Sequence, residues 1–181
     1  LCFEQVLHDI GIEQLIQAGH LSRFHHYTIA DYTPESVART FLRERRRWGK
    51  SLLFFHRYQQ CLACQQILAA AGIKAEVVTA ASNRERQIRD FASGKTKVLI
   101  SMAILAEGFY CPSLKTLFCR PSGKGCTIQM CGRVFRKQSG MNFKQIVQCR
   151  NTRHPITKTD TPDEQYVWMD DRWQSLKLNR Q

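Results

Sequence analysis

Acidic residues are missing from a long stretch of this chain. After Glu107 none occurs until Asp160, while the same window carries Lys115, Arg120, Lys124, Arg133, Arg136, Lys137, Lys144, Arg150, Arg153 and Lys158. Those cations supply most of the formal net charge of +12, and nothing of opposite sign interrupts them. A field of one sign attracts polyanions, with nucleic acid and nucleotide phosphates the leading candidates and plain solubility the alternative. Long apolar runs are also missing, which excludes a helical membrane span. A secretion-signal pattern is missing too, and the chain opens at Leu1 without a methionine, so it reads as a piece of a longer protein.

Cysteine is plentiful, but its spacing lacks what metal binding needs. Cys61 and Cys64 form a Cys-x-x-Cys with no second pair at zinc spacing. They fit better into a stripe, Cys61, Cys64, Leu68 and Ala71, on the buried face of a helix. The remaining cysteines are scattered, as in a chain with reduced thiols, and a cytoplasmic, nucleic-acid-associated protein is the expectation. No metal site is expected. His25 and His26 are adjacent in a stretch of strand character, so they point to opposite sides and cannot share a metal.

What is present is an alternation of strands and helices. An amphipathic stretch from Ile12 to Ala18 closes at Gly19, and 27–29 reads as an edge strand. Thr33-Pro34-Glu35-Ser36 opens a helix, with proline in the first turn, that runs through Val37 and Phe41 to stop near Gly49. Ser51 to Phe55 is a continuous apolar run, as in a strand buried on both faces. A helix from about Tyr58 to Ala71, a strand over 74–78 and a helix opened by a Ser82-Asn83-Arg84-Glu85 capping box come next. Strands at 98–100, 116–118 and 145–147 follow, with a helix around Gln129 to Phe135 before the last. This order predicts a three-layer α/β/α fold, a parallel sheet with helices on both faces, whose ligands bind beyond the carboxyl ends of the strands.

The segment Gln129-Met130-Cys131-Gly132-Arg133-Val134-Phe135-Arg136 places two arginines three residues apart, on one face if the segment is helical. Guanidinium is planar, permanently charged and able to grip phosphate oxygens in pairs, and Gly132 leaves room for another chain to approach. The alternative is a solvated basic face. At the far end, 166–169 and 172–176 flank Asp170-Asp171 and read as a hairpin. Its tryptophans cover an apolar surface in the favoured reading, or stack on bases in the other.

Taken together, these segments resemble the C-terminal RecA-like domain of superfamily 2 helicases of the DEAD/DEAH type, including the UvsW-like repair translocases. Ser51 to His56 resembles helicase motif IV, Val98 to Ser101 through Glu107 to Pro112 resembles motif V, and Gln129 to Arg136 resembles motif VI. Arg86, Phe91 and Gly94 fall where that family carries a helix leading into motif V, and Leu15 to Leu21 looks like the exit from a preceding domain. The resemblance divides the chain into an exit segment (1–34), a RecA-like domain (35–150) and an extension (151–181). It implies that ATP and Mg2+ are held mainly by a first RecA-like domain outside these residues, while Arg133 and Arg136 reach the terminal phosphate as arginine fingers. Gln129, Gly132, Gly108 and Tyr110 would lie at the nucleotide side. Phe55, His56, Arg57, Ser101 and Met102 would line the nucleic acid, with DNA favoured over RNA and no membrane involved.

Two features depart from that family. Tyr110 stands two residues after the motif V glycine, where an acid is usual, and packing is its expected role; Met102 and Ala103 replace a threonine and an aspartate. Ser93-Gly94-Lys95-Thr96 lacks the earlier glycine of a phosphate loop, Arg89 standing in its place, and no Asp-Glu-x-His or Asp-Glu-x-Asp box occurs. These residues alone are therefore expected not to hydrolyse ATP. Two functions follow: the motor half of an ATP-dependent helicase or translocase, or a nucleic-acid-binding module that kept the fold and lost catalysis.

Overall fold

The computed structural model describes residues 11–102 and 109–177. Eight strands, β1 (Arg23–Ile29), β2 (Ser51–Phe54), β3 (Ala75–Val78), β4 (Val98–Ser101), β5 (Thr116–Phe118), β6 (Phe143–Cys149), β7 (Glu164–Met169) and β8 (Arg172–Ser175), form one sheet in the order β3-β4-β2-β5-β6-β1-β7-β8. Every neighbouring pair is parallel except β7–β8. Six α-helices pack with it: α1 (Ile12–Gln17), α2 (Pro34–Arg43), α3 (Arg45–Trp48), α4 (Tyr58–Ala70), α5 (Arg84–Ser93) and α6 (Lys124–Gly132).

Alternation along the strands builds the three layers. Leu52 and Phe54 of β2 join Leu99, Leu117 and Ile146 in a core closed by Phe91 of α5 and Met130 and Cys131 of α6. Leu53 and Phe55 point the other way, with Ile100, Phe118 and Val147, onto Val37, Ala38 and Phe41 of α2 and Cys61, Cys64 and Leu68 of α4. Each large apolar side chain so removed from water contributes roughly 1.5–3 kcal/mol. The cysteine stripe is thus core packing, and burial pushes Cys61 and Cys64 up to about 11 and about 12. Ala71, placed on that stripe by its spacing, is exposed because α4 has already ended. Among the described residues no group of three metal-ligating side chains occurs.

Several sequence expectations are corrected. The helix begun at Thr33, whose hydroxyl accepts the Ser36 N–H at 3.1 Å, does not run to Gly49. Glu44 breaks it with φ −139° and ψ 43°, and its carboxylate is shared between Arg47 Nε at 2.6 Å and Trp173 Nε1–H at 2.9 Å. The chain then turns into β2 through Gly49 at φ 59°, where a Cβ would meet the Lys115 side chain at 3.1 Å. The cap of α5 is Asn83, which accepts the Arg86 N–H; Ser82 instead bonds Gln87 and Thr79.

The largest correction concerns the ends. Residues 23–29 form an interior strand and not an edge, because β7 pairs with β1 on the side away from β6. The stretches expected as an exit segment and an extension therefore both supply strands to the sheet. The hairpin turns on Asp170 and Asp171, at φ 50° and 55°, as a two-residue turn with both central residues left-handed requires. Its Trp173 ring packs 5.0 Å from Tyr27 and 5.8 Å from Trp48, so the surface-covering reading of that tryptophan holds. Trp168 packs edge-on to Trp173 at 5.1 Å, beneath the Arg43 guanidinium. Among the described residues no helix is long and apolar enough to cross a membrane.

Candidate nucleotide and nucleic-acid site

The motif VI segment ends a helix where its spacing had placed one. α6 stops at Gly132, Arg133 is its C-cap at φ −71° and ψ −27°, and Arg136 lies beyond it. The argument that a shared helical face aligns the two arginines therefore fails. Their positions are set by what lies between them. Val134 and Phe135 are fully buried, Phe135 meets Phe24 edge-on at 5.3 Å, and its carbonyl accepts the Ser22 N–H at 2.8 Å. That anchor holds Arg133 half-buried, with a shielded Nε that has no hydrogen-bond partner among the described residues, and leaves Arg136 exposed. Neither arginine is in an ion pair among the described residues.

Tyr110 corrects a second expectation. It does not pack; it is 65% exposed, with the Arg136 guanidinium carbon 5.9 Å from its ring centroid. A cation at that range over an aromatic face is steadied by the ring quadrupole, by about 0.5–1 kcal/mol when exposed. The structure thus brings Tyr110 and Arg136 together. Gln129 is exposed on α6, and Gly132 faces open space, with no heavy atom within 4 Å of the place a Cβ would take. Gly108 and Ala103 lie outside the described residues.

The nucleic-acid candidates divide. Phe55 is 1% exposed, wedged against Tyr32 at 5.6 Å in the α2/α4 core, and Ser101 is 3% exposed. These two are withdrawn as contacts, since neither side chain reaches the surface. Met102 is half-buried against the same core. His56 and Arg57, by contrast, are exposed just past the carboxyl end of β2.

His56 opens onto residues that sequence reasoning had missed. With Arg120, Pro121, Ser122, Gly123, Cys126, Asn151 and Arg153 it lines a cavity of about 430 Å³, formed where β2, β5 and β6 end and α6 begins. His56 Nε2 lies 2.9 Å from the Pro121 carbonyl and Nδ1 lies 2.7 Å from Arg120 Nη1. The ring is therefore the neutral tautomer that donates from Nε2 and accepts at Nδ1. Desolvation, and then the Arg120 charge, hold its pKa below the usual 6.5. Arg120 also donates to Ser122 Oγ at 3.3 Å, and its Nε is shielded without a partner among the described residues. α6 opens at Gly123 with no side-chain cap, so its first N–H groups add positive character at the cavity rim. The signal that could have found Arg120 and Arg153 was the charge window itself, but it could not say which of its ten cations converge.

The domain is thus a parallel RecA-like sheet with a basic cavity at its carboxyl ends, and with Arg133 and Arg136, neither in an ion pair among the described residues, near its amino ends, where the Phe135 carbonyl meets Ser22 just before β1. The helicase conserved C-terminal domain family matches residues 33–138, and the chain belongs to that family. Among solved structures it is similar to Saccharomyces cerevisiae Dbp5 bound to RNA and ADP BeF3, at 18% identity over 81% of this chain and 41% of that one, TM-score 0.59. It is also similar to the Escherichia coli DEAD-box protein SrmB bound to regulator of ribonuclease activity A, at 16% identity over 71% of this chain and 76% of that one, TM-score 0.53. The Type ISP restriction-modification enzyme LlaBIII bound to DNA aligns at 12% identity over 83% of this chain and 13% of that one, TM-score 0.59. At these identities the likeness is one of fold. No curated protein gives a significant match.

Proposed function

We propose that this chain is the C-terminal motor half of an ATP-dependent superfamily 2 helicase or translocase. In this reading Arg133 and Arg136 serve as arginine fingers toward ATP held, with Mg2+, mainly by a preceding RecA-like domain. The observation that carries it is the pair of guanidiniums flanking the buried Val134–Phe135 anchor, both without a carboxylate partner among the described residues. A shielded, unpartnered Arg133 Nε fits an anionic oxygen that arrives from outside the chain. ATP supplies a terminal phosphoryl group whose charge spreads over its oxygens during transfer, and permanent positive charge placed there is worth about a thousandfold or more in rate. Gln129, Gly132 and Gly108 belong to the same nucleotide side. The residues of this chain alone are proposed to be inactive in hydrolysis.

Nucleic acid is assigned to the cavity at the carboxyl ends, with His56, Arg57, Arg120 and Arg153 on its backbone and Met102 beside it. The neutral His56 holds Arg120 in place through its Nδ1, so the strand meets a guanidinium that is already oriented. DNA is the polymer proposed, on the resemblance of the motifs to repair translocases. The test is ATP turnover by the full-length protein with and without single- and double-stranded DNA and RNA. Turnover stimulated by DNA, and lost in an Arg57→Ala/Arg153→Ala variant, is expected; stimulation by RNA alone would replace the polymer. The exposed Tyr110, where an acid is usual in the resembled family, favours a second reading, a binding module without catalysis. Tight binding with no turnover in a parent that has an intact phosphate loop would decide for it.

A further inference from the structure

The amino pole of the sheet carries, on its α2/α3 side, a cavity that the motor reading does not use. β2, β3, β4 and β5 run parallel, so their amino ends share one pole, away from Arg120 and the start of α6; Arg133 and Arg136 reach that pole on the other face of the sheet, where α6 ends. There Phe41, Arg45, Arg46, Gly49, Ile73 and Lys97 line a cavity of about 560 Å³. The sheet order places Ile73 before β3, Lys97 before β4, α3 before β2 and Lys115 before β5, so the cations follow one another along the pole. The cations precede β4, β2 and β5, so two strand spacings make their row about 10 Å long, the reach of about four consecutive phosphates in a stacked strand.

These cations are uncommitted. Arg45, Arg46 and Lys97 are exposed, and neither they nor Lys115 have an ion pair or side-chain hydrogen bond among the described residues. Their basic neighbours are engaged: Arg47 with Glu44, Lys74 with Glu76, Lys95 with Asp90, and Lys50 with the Ala92 carbonyl and Ser113. Glu44, Glu76 and Asp90 are thereby engaged, and Lys115 is held below its usual pKa by desolvation and then by the charge of Arg47. Like charges crowded over a cavity without a counterion are the electrostatic complement of a polyanion. The floor of Phe41 and Ile73 is apolar and suits the sugar and base faces of an unpaired strand better than a fully charged ligand.

We propose that Arg45, Arg46, Lys97 and Lys115 form a second nucleic-acid site, which holds the backbone of a single strand outside the motor cleft. The site is independent of the nucleotide-side assignments and of the cavity at the carboxyl ends. The experiment measures binding of a fluorescent oligothymidylate to the purified chain across a salt series, with lysine acetylation footprinting of the same complex. Each single-strand phosphate contact contributes about 0.7 to the salt slope, or about fivefold in affinity at 0.1 M salt. In the Arg57→Ala/Arg153→Ala background, which removes contacts at the carboxyl-end cavity, adding Arg45→Ala/Arg46→Ala/Lys97→Ala is therefore expected to cost about 100-fold in affinity and about 2 units of slope.

In the unaltered chain, bound oligonucleotide is expected to protect Lys97 and Lys115, and to do so equally in the Arg57→Ala/Arg153→Ala variant. That result stands whether or not the motor reading survives. Protection of Lys124 at the carboxyl pole, with Lys97 and Lys115 still reactive, would overturn the proposal. So would protection by inorganic tripolyphosphate but not by the oligonucleotide, or unchanged affinity when the triple substitution is added to the Arg57→Ala/Arg153→Ala background.

Discussion

Asp160 gives the sharpest test of how the amino-terminal segment is joined to the domain. It is 3% exposed, follows the 3₁₀ turn Ile156–Lys158, and has an Oδ2 without a partner among the described residues. Burial pushes its carboxyl from the usual 3.8 to about 6; a hydrogen bond from the Glu13 backbone in α1 pulls it down, and the Glu13 charge opposes that pull. Between those values the folded chain binds one proton more than the unfolded chain. Stability is therefore fully present below pH 3.8 and falls as pH rises through 6, by at most about 3 kcal/mol. Asparagine keeps the shape and the acceptor for the Glu13 N–H but cannot ionise. Asp160→Asn is thus expected to be more stable than the unaltered chain at pH 7.5, by about 2–3 kcal/mol, and equal to it near pH 4. At a urea dependence of about 2 kcal/mol per molar, the midpoint moves up by about 1–1.5 M. Urea unfolding of both chains from pH 4 to pH 8 checks this. A difference that does not change with pH, or an asparagine chain less stable throughout, would refute the reasoning.

Three further outcomes follow from the packing. Trp173→Ala should cost about 3–5 kcal/mol in urea unfolding, because the ring fills the space between Tyr27 and Trp48, whereas Trp173→Phe should cost about 1 kcal/mol for the lost bond to Glu44. Lys144 has no exposed surface, and its ammonium donates to the Pro112 and Leu114 carbonyls at 2.6 Å each. Lys144→Met leaves both carbonyls without that donor and should cost about 2–4 kcal/mol in thermal unfolding. Removing the Arg120 charge should raise the His56 pKa part of the way toward 6.5, read from imidazole chemical shifts in Arg120→Ala.

The layers of the fold were legible because the sheet is buried on both faces. Ser51 to Phe54 could only be a central strand, and Thr33-Pro34 could only start a helix. The role of β1 was not, because His25, His26 and Tyr27 dilute its apolar signal and its outer neighbour arrives more than a hundred residues later. Glu44 broke the second helix for a tertiary reason, its bond to Trp173, which local propensity cannot contain. Arg133 and Arg136 were singled out by residue type and by resemblance, but the helical alignment was an artefact of spacing; the Val134–Phe135 anchor sets their positions through contacts with Phe24 and Ser22. Phe55 was a candidate contact, together with His56, through the resemblance of Ser51 to His56 to motif IV. A strand's alternation sends one side chain inward and lets the next emerge. Arg120 and Arg153 were hidden among ten cations until the parallel order of β2, β5 and β6 brought their loops together.

The central claim is that Arg133 and Arg136 act on a nucleotide bound elsewhere. Single-turnover ATP hydrolysis by the full-length protein with saturating nucleic acid, compared with Arg133→Ala and Arg136→Ala, tests it most directly. The account predicts a fall of about a thousandfold in each variant, with nucleic-acid affinity changed by no more than a few-fold. Hydrolysis at the unaltered rate in Arg136→Ala, or equal losses of hydrolysis and binding, would contradict it and return that arginine to the binding surface.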